Sequence, residues 1–378
     1  MSENSIDTTR KATPKSLVKC VETAFRIKRS IMIMGQPGVG KSQIIAQIAS
    51  RSGRPVIDMR LAQFDSTDIR GVPYFDPETK KMEWAEPSTL PTNEKLANAI
   101  IFLDELNTAP PLVQSAAYQL VLDRKLGDYE LPPGVDIVAA GNRTEDRGAT
   151  FDMAMPLRNR FIFVNLEVNF EEWQEWAIEN GLAREVIAYL MHRKSHLNTF
   201  DEALKNESYS FATPRSWEVV SDILQKGEAD NETLDLMVAG AVGDGIANEF
   251  VVHMEYISSL PTPRQILEGN YDKNLKIEKQ SAFYSLTYGA VLEMIEQYDK
   301  DKKETGIGNA NTSVMFDNLY EFCEKFCTSE MTFFTVSSLI RRWRAKYMTA
   351  ANREQIVPPQ NKNFAKFITE YGPMLGLA

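Results

Sequence analysis

The sequence predicts an α/β fold: a five-stranded parallel sheet flanked by helices, followed by a mostly helical second half. Three observations carry this. Apolar runs recur at Ser30–Met34, Pro55–Leu61, Ala99–Leu103, Asp136–Ala140 and Phe161–Leu166. Helical patterns such as Gln43–Ser50 and Pro111–Leu122 lie between them. From Phe170 onward the strand-like runs stop and helical patterns take over.

The five runs are apolar nearly throughout, as strands covered on both faces are. In the second half the helical segments are Phe170–Glu179, Ala183–His192, Pro214–Gln225 and Glu232–Ile257. A polar break follows at Ser258–Asn274, with Pro261 and Pro263, and a polar loop at Asp299–Thr312 contains Gly306 and Gly308. Ser313–Phe326 and Phe333–Ala350 read as amphipathic helices, Pro358 and Pro359 end that stretch, and a short helix near Asn363–Tyr371 closes the chain.

A length of 378 residues suggests two or three domains. With 43% hydrophobic and 25% charged residues the chain is neither disordered nor short of core. A net charge of −10 disfavours nucleic acid as a partner, since its phosphates need Lys and Arg. No apolar run reaches the length of a membrane span, and Met1–Lys15 lacks the apolar stretch of a signal peptide. Of the 3 cysteines, Cys20 stands apart. Cys323 and Cys327 sit on a helical pattern with no Cys or His neighbour to complete a metal site. They read as buried thiols in a reducing, cytoplasmic compartment.

The residues Gly35, Gln36, Pro37, Gly38, Val39, Gly40, Lys41 and Ser42 fit G-x-x-x-x-G-K-[ST] between an apolar strand and a helical pattern. Glycines let the backbone curl so that N–H groups face phosphates, and the helix dipole favours the same anions. Lys41 is expected to reach the β- and γ-phosphates of ATP, and Ser42 to place its hydroxyl on Mg²⁺. A second buried run, Ile100–Leu103, ends in Asp104 and Glu105. At the carboxyl edge of a parallel sheet, Asp104 would hold Mg²⁺ partly through water, and Glu105 would polarise the attacking water. Asn142 ends another buried run and would face the γ-phosphate, although Asn is also a common turn residue.

With these motifs in place, roughly the first 220 residues resemble the AAA+ ATPases, and specifically the MoxR-like branch of the helix-two-insert group. The segment Leu103–Ser115, LDELNTAPPLVQS, resembles that branch's D-E-[IL]-N-x-A-x-P-x-x-Q-[SN] signature. Asp65–Pro73 resembles its D-x-x-G segment, which precedes the insertion. The resemblance implies a sensor-one role for Asn142 and a trans-acting arginine in Pro156–Phe161. Arg160 matches that position best, with Arg158 as the alternative. It also implies that Ala212–Ser216 is the sensor-two motif, with Arg215 projecting onto the nucleotide and Thr213 in place of the usual Ser. The implied domains are a polar tail over 1–15, an AAA+ nucleotide-binding core over 16–168, a helical lid over 169–257 and a helical C-terminal extension over 258–378.

Four further features stand apart from these motifs. His192 and His196 are spaced to share a helix face, but Arg193 stands where a zinc protease needs Glu, so a structural pair is expected. Arg341–Tyr347 mixes basic and aromatic residues, as nucleic-acid sites do, but also fits a solvated face around a buried Trp343. Trp173 and Trp176 read as core anchors. Tyr74 and Phe75, in the insert region, are candidates for a loop that grips a substrate chain.

The expected function is that of an ATP-hydrolysing ring ATPase, a hexamer that remodels, activates or assembles a separate protein client. No D-x-S-x-S string occurs, so a von Willebrand-type partner would be another chain. Two alternatives stay open: a nucleic-acid motor or loader, and an ATP-binding regulatory module with little turnover.

Overall fold

The computed structural model describes residues 10–375, apart from residues 86, 88, 93, 127–128, 147–150, 152, 307–310, 348–355 and 358–359. Most of the expected polar tail, together with Gly308, Pro358 and Pro359, lies outside the described residues. The chain forms two compact units, one of residues 1–177 with 198–218, the other of residues 178–197 with 219–378.

The first unit is built on a parallel sheet of six strands, one more than the sequence predicts. From one edge the order is Lys11–Ala12, Phe161–Leu166, Ser30–Met34, Asp136–Gly141, Ile100–Asp104 and Val56–Arg60. The additional strand has 2 residues, paired beside Asn165 and Leu166. So short a strand carries no hydrophobic period to read. Along the central strands, alternate side chains go to opposite faces. Ile31, Ile33, Phe102, Val138 and Ala140 pack against helices Pro14–Arg26 and Lys41–Ser52. Met32, Ile101, Leu103, Ile137 and Ala139 pack on the other side against helix Pro111–Asp123. Both faces are covered, which is why the runs are apolar throughout.

Helix Pro14–Arg26 has no counterpart among the predicted elements. Its buried stripe is only Leu17, Val21 and Ala24, spaced four and three apart among charged residues. Thr13 caps it by accepting from the Ser16 amide, and Pro14 suits the first turn.

The second unit is helical. The helix expected over Glu232–Ile257 is two, Asn231–Val242 and Asp244–Ser258, broken at Gly243 with φ 92°. The Ser258–Asn274 break holds a short helix, Pro263–Leu267, started by a capping box of Thr262 and Gln265. Helix Gln280–Thr305 is absent from the prediction and runs into the expected polar loop. It buries Leu286, Ala290, Val291, Met294 and Tyr298, then continues as a charged, solvated end that composition alone reads as a loop. The buried carboxylate of Asp301 anchors that end, accepting from the Asn311 amide at 2.8 Å and from Asn311 Nδ2 at 2.8 Å. The core here is aromatic: Phe316, Tyr320, Phe322, Trp343, Phe364 and Phe367 are buried together.

Opposite the carboxyl edge of the sheet, a buried ion pair closes the first unit. Asp136 accepts from Arg54 Nη1 at 2.8 Å and Lys28 Nζ at 3.2 Å, and Arg54 Nη2 donates to the carbonyls of Ala99 and Gly134. Removing one partner leaves a buried guanidinium uncompensated. Asp136→Ala should therefore cost about 3 kcal/mol, measured as a lowered urea midpoint with the slope unchanged.

Candidate active site

The site forms where three neighbouring strands end. After Met34 the chain turns through Gly38 (φ 78°) and Gly40 (φ 94°), a left-handed region that glycine enters without a Cβ penalty. It then enters helix Lys41–Ser52, which has no side-chain cap on its first amides. Lys41 Nζ donates to the carbonyls of Gly35 at 2.7 Å and Gln36 at 3.0 Å and to Asn142 Oδ1 at 3.1 Å. Burial pulls its pKa down to about 8, against the upward pull of Asp104, Asp146 and Glu105. Three oxygens thus stand where phosphate oxygens could replace them, so the cradle fits an ATP phosphate chain.

Asp104 Oδ2 accepts from Ser42 Oγ at 3.2 Å, which brings the two expected Mg²⁺ ligands together. Hard oxygen donors of this kind suit that ion. Glu105, next in the chain, takes φ 57°, a costly backbone for a residue with a Cβ. Its amide donates to Asp104 Oδ1 at 2.9 Å, and its carbonyl accepts from the Thr108 amide, Thr108 Oγ1 and the Ala109 amide. That turn holds the strained residue at the strand end.

Asn142 is fixed by a neighbour to which the sequence reading gives no role. Asn107 Nδ2 donates to the Asn142 carbonyl at 2.7 Å, and Asn107 Oδ1 accepts from the Asn142 amide at 3.2 Å. A Cβ on Gly141 would lie 2.4 Å from Asn107 Oδ1, so the preceding residue must be glycine. Asn107 stands inside the Leu103–Ser115 string, but nothing in the string says which backbone it clamps.

The Thr213-Pro214-Arg215 segment packs on the phosphate loop. The Arg215 amide donates to the Gly38 carbonyl at 3.3 Å, and a Cβ on Gly38 would meet Thr213 Oγ1 at 2.8 Å. Thr213 accepts from the Ser216 amide at 3.2 Å, as Ser would, and the Arg215 side chain is exposed. Arg158 and Arg160 are exposed at the other end of the sheet. Phe161 pairs with Ser30, a strand length, roughly 13 Å at 3.3 Å per residue, from Met34. Arg160 is therefore not gathered with Lys41 and Asp104 in this chain.

Tyr74 and Phe75 lie on a strand rather than a loop, in a two-stranded hairpin of Val72–Asp76 with Lys81–Ala85. Tyr74 is 46% and Phe75 58% exposed, and as neighbours on a strand they face opposite sides. Tyr74 Oη donates to Glu83 Oε2 at 3.1 Å, and Met82 and Trp84 on the partner strand are exposed too.

The histidine and basic–aromatic candidates lie in the helical unit. Helix Arg184–His192 ends before His196, so the two histidines do not share a helix face. His196 Nδ1 instead bonds the Tyr189 hydroxyl at 2.8 Å. Trp343 is buried, as expected, and two of the four basic residues around it, Arg342 and Lys346, are engaged. Arg342 Nη2 donates to the Tyr288 hydroxyl at 2.6 Å with its guanidinium over that ring, and Lys346 pairs with Asp299 at 2.6 Å. Trp173 is buried in the first unit and Trp176 half-buried, while Cys323 is buried and Cys327 partly so. No group of His, Cys, Asp and Glu among the described residues could hold a metal by itself. No described helix is long and apolar enough to cross a membrane.

Residues 30–161 match the AAA domain of the dynein-related subfamily. A Midasin from Giardia intestinalis is 25% identical over 196 residues, covering 49% of this chain and 4% of that protein. A Midasin from Dictyostelium discoideum is 28% identical over 154 residues, covering 38% of this chain and 3% of that one. The chain thus spans a few per cent of the length of these relatives. Among solved structures, the RuvB Holliday junction branch migration motor of Thermotoga maritima is 17% identical, with 68% of this chain and 74% of that chain covered at a TM-score of 0.34. A variant of the same protein is 18% identical, with 67% and 73% covered at a TM-score of 0.35. The family match covers the stretch from the first central strand to Phe161, which holds Lys41, Asp104 and Asn142.

The lowered pKa of Lys41 has a measurable consequence. Phosphates favour the charged ammonium, so nucleotide binding raises that pKa and affinity is fullest below the free-state value. With the free value at about 8, affinity for ADP should fall roughly tenfold between pH 7 and pH 9, read by titration calorimetry. A flat profile across that range would remove Lys41 from the phosphate site.

Proposed function

We propose that this chain is an ATP-hydrolysing ring ATPase of MoxR type, a hexamer that remodels, activates or assembles a separate protein client. The observation that carries the reading is the meeting of Lys41, Ser42, Asp104, Glu105 and Asn142 at the carboxyl edge of three adjacent parallel strands. ATP with Mg²⁺ supplies the reactive phosphoanhydride and a Lewis-acid charge when bound. Lys41 exchanges its carbonyl partners for the β- and γ-phosphates. Ser42 and Asp104 would hold Mg²⁺ with hard oxygen donors, Glu105 would draw a proton from the attacking water, and Asn142 would orient it. Arg215 approaches from the segment packed on the phosphate loop.

Arg160 fits a trans role because it lies a strand length from its own Lys41 cradle. A neighbour's guanidinium would complete each site, which ties hydrolysis to assembly. The exposed Tyr74–Phe75 hairpin is the surface offered to the client, whether or not that client carries a von Willebrand-type domain. The nucleic-acid alternative loses support, since Arg342 and Lys346 are engaged by Tyr288 and Asp299. The low-turnover alternative must explain why the strained Glu105 is held at the strand end.

Two experiments bear on this reading. Glu105→Gln keeps size and hydrogen bonding but loses the charge, and should bind ATP yet turn over at least ~10²-fold more slowly. Lys41→Ala should instead lose binding, and near-normal turnover in Glu105→Gln would mean the wrong carboxylate has been assigned. In the second, inactive Arg160→Ala and inactive Glu105→Gln subunits are mixed. Some interfaces then hold both groups intact, so ATPase should reappear. No recovery with subunit exchange verified would move the finger to Arg158 or remove the ring.

A further inference from the structure

Gln36, second in the phosphate loop, is only 8% exposed. Its carbonyl accepts from Lys41 Nζ at 3.0 Å, while its side chain turns to a segment far along the chain. Gln36 Nε2 donates to Asp201 Oδ1 at 2.6 Å, and Gln36 Oε1 accepts from Asn198 Nδ2 at 2.6 Å. The same Asp201 oxygen accepts from Arg143 Nη2 at 3.3 Å. Arg143 directly follows Asn142, whose Oδ1 accepts from Lys41. The contacts close on themselves, running from Lys41 through Gln36, Asp201, Arg143 and Asn142 back to Lys41. Arg143 is itself fixed by buried Asp146, which accepts from the Arg143 amide at 2.9 Å and from its guanidinium at 2.8 Å.

We propose that Gln36 and Asp201 are positioning residues of the nucleotide site, holding the phosphate-loop carbonyl and the Asn142 strand end in register through this ring. The inference rests on the reading of the site as an ATP site. Phosphate oxygens take Lys41 away from the Gln36 carbonyl and from Asn142, two joints of the ring. The loop does not have to reorganise at that moment if Gln36 stays pinned from its far side, and pre-organisation of this kind raises affinity. Segment 198–218, which supplies Asn198 and Asp201, also delivers Thr213 and Arg215 onto Gly38. The same strap therefore grips the phosphate loop at two points.

The chemistry of the Gln36–Asp201 pair allows a polarity swap. Asp201→Asn keeps an oxygen that accepts from Gln36. Asp201→Ala removes that oxygen from a side chain that is 68% exposed, which hands the Gln36 amide to water and unpins the loop. Gln36→Glu sets two carboxylates against each other. Gln36→Glu with Asp201→Asn restores the bond in the opposite sense, with the wild-type net charge. The probe is N-methylanthraniloyl-ADP with Mg²⁺, titrated into the full chain, with ATPase KM and melting temperature measured alongside. Asp201→Ala and Gln36→Glu should each weaken binding roughly tenfold, the scale of a lost hydrogen bond to a charged group. Asp201→Asn and the double variant should bind within about threefold of wild type, the smaller step expected when the bond is kept. KM should follow the same order while the melting temperatures stay close together. The inference is overturned if the double variant binds no better than Gln36→Glu, if Asp201→Ala matches Asp201→Asn, or if affinity merely tracks melting temperature. Failure of wild type itself to bind the probe would overturn the ATP reading and this inference with it.

Discussion

A half-buried ammonium is the constraint around which the first unit is arranged. Lys41 is half-buried, and burial pulls its pKa down to about 8 against the upward pull of nearby carboxylates, while three oxygens face its ammonium. Supplying those oxygens fixes the backbone on both sides. Two of them are loop carbonyls, so the loop must curl through the left-handed glycines 38 and 40. The third belongs to Asn142, so a neighbouring strand must end level with the loop. The register provides this by setting Met34 opposite Gly141. A parallel sheet brings several strand ends to one edge, which is why such a site forms there and not at the Asp136 end.

The second strand end meets the same demand by strain. Glu105 takes a backbone conformation that L-residues avoid, and its amide and carbonyl are both bonded within the turn. Asn107, two residues on, reaches across and clamps the Asn142 backbone from both sides. One short turn therefore places a carboxylate and also locks the neighbouring strand end. Gly141 is the cost of that closeness, since the Asn107 amide fills the space a Cβ would need.

Much of this was legible in the sequence. The five long strands of the sheet were, because two covered faces leave few polar residues in a strand. So were the glycine-rich turn after Met34 and the acidic strand end, because their residue types are tied to local backbone geometry. What stayed hidden depends on partners distant in the chain. The Lys11–Ala12 strand exists only because Asn165 and Leu166 offer an edge. Asp201 and Asn198 sit in an ordinary polar stretch, and only folding brings them to Gln36. Helix Gln280–Thr305 was hidden for another reason: its apolar stripe fades into a charged end, and the carboxylate that secures that end is indistinguishable by composition from its solvated neighbours.

The basic and aromatic stretch near Trp343 shows how context decides what a composition means. In sequence, Arg341–Tyr347 has the ingredients of a polyanion site. In the fold, Trp343 enters the aromatic core, Arg342 lies on the Tyr288 ring, and Lys346 is neutralised by Asp299. A phosphate approaching Lys346 would have to displace a carboxylate already in place, on a chain whose net charge of −10 repels it. The Tyr74–Phe75 hairpin is the opposite case. Its aromatic side chains remain exposed, and a two-stranded ribbon alone is marginal in water. Surface that has already been consumed inside the fold cannot serve a partner. Apolar surface left exposed on a ribbon can, because burying it is favourable whatever else the partner carries.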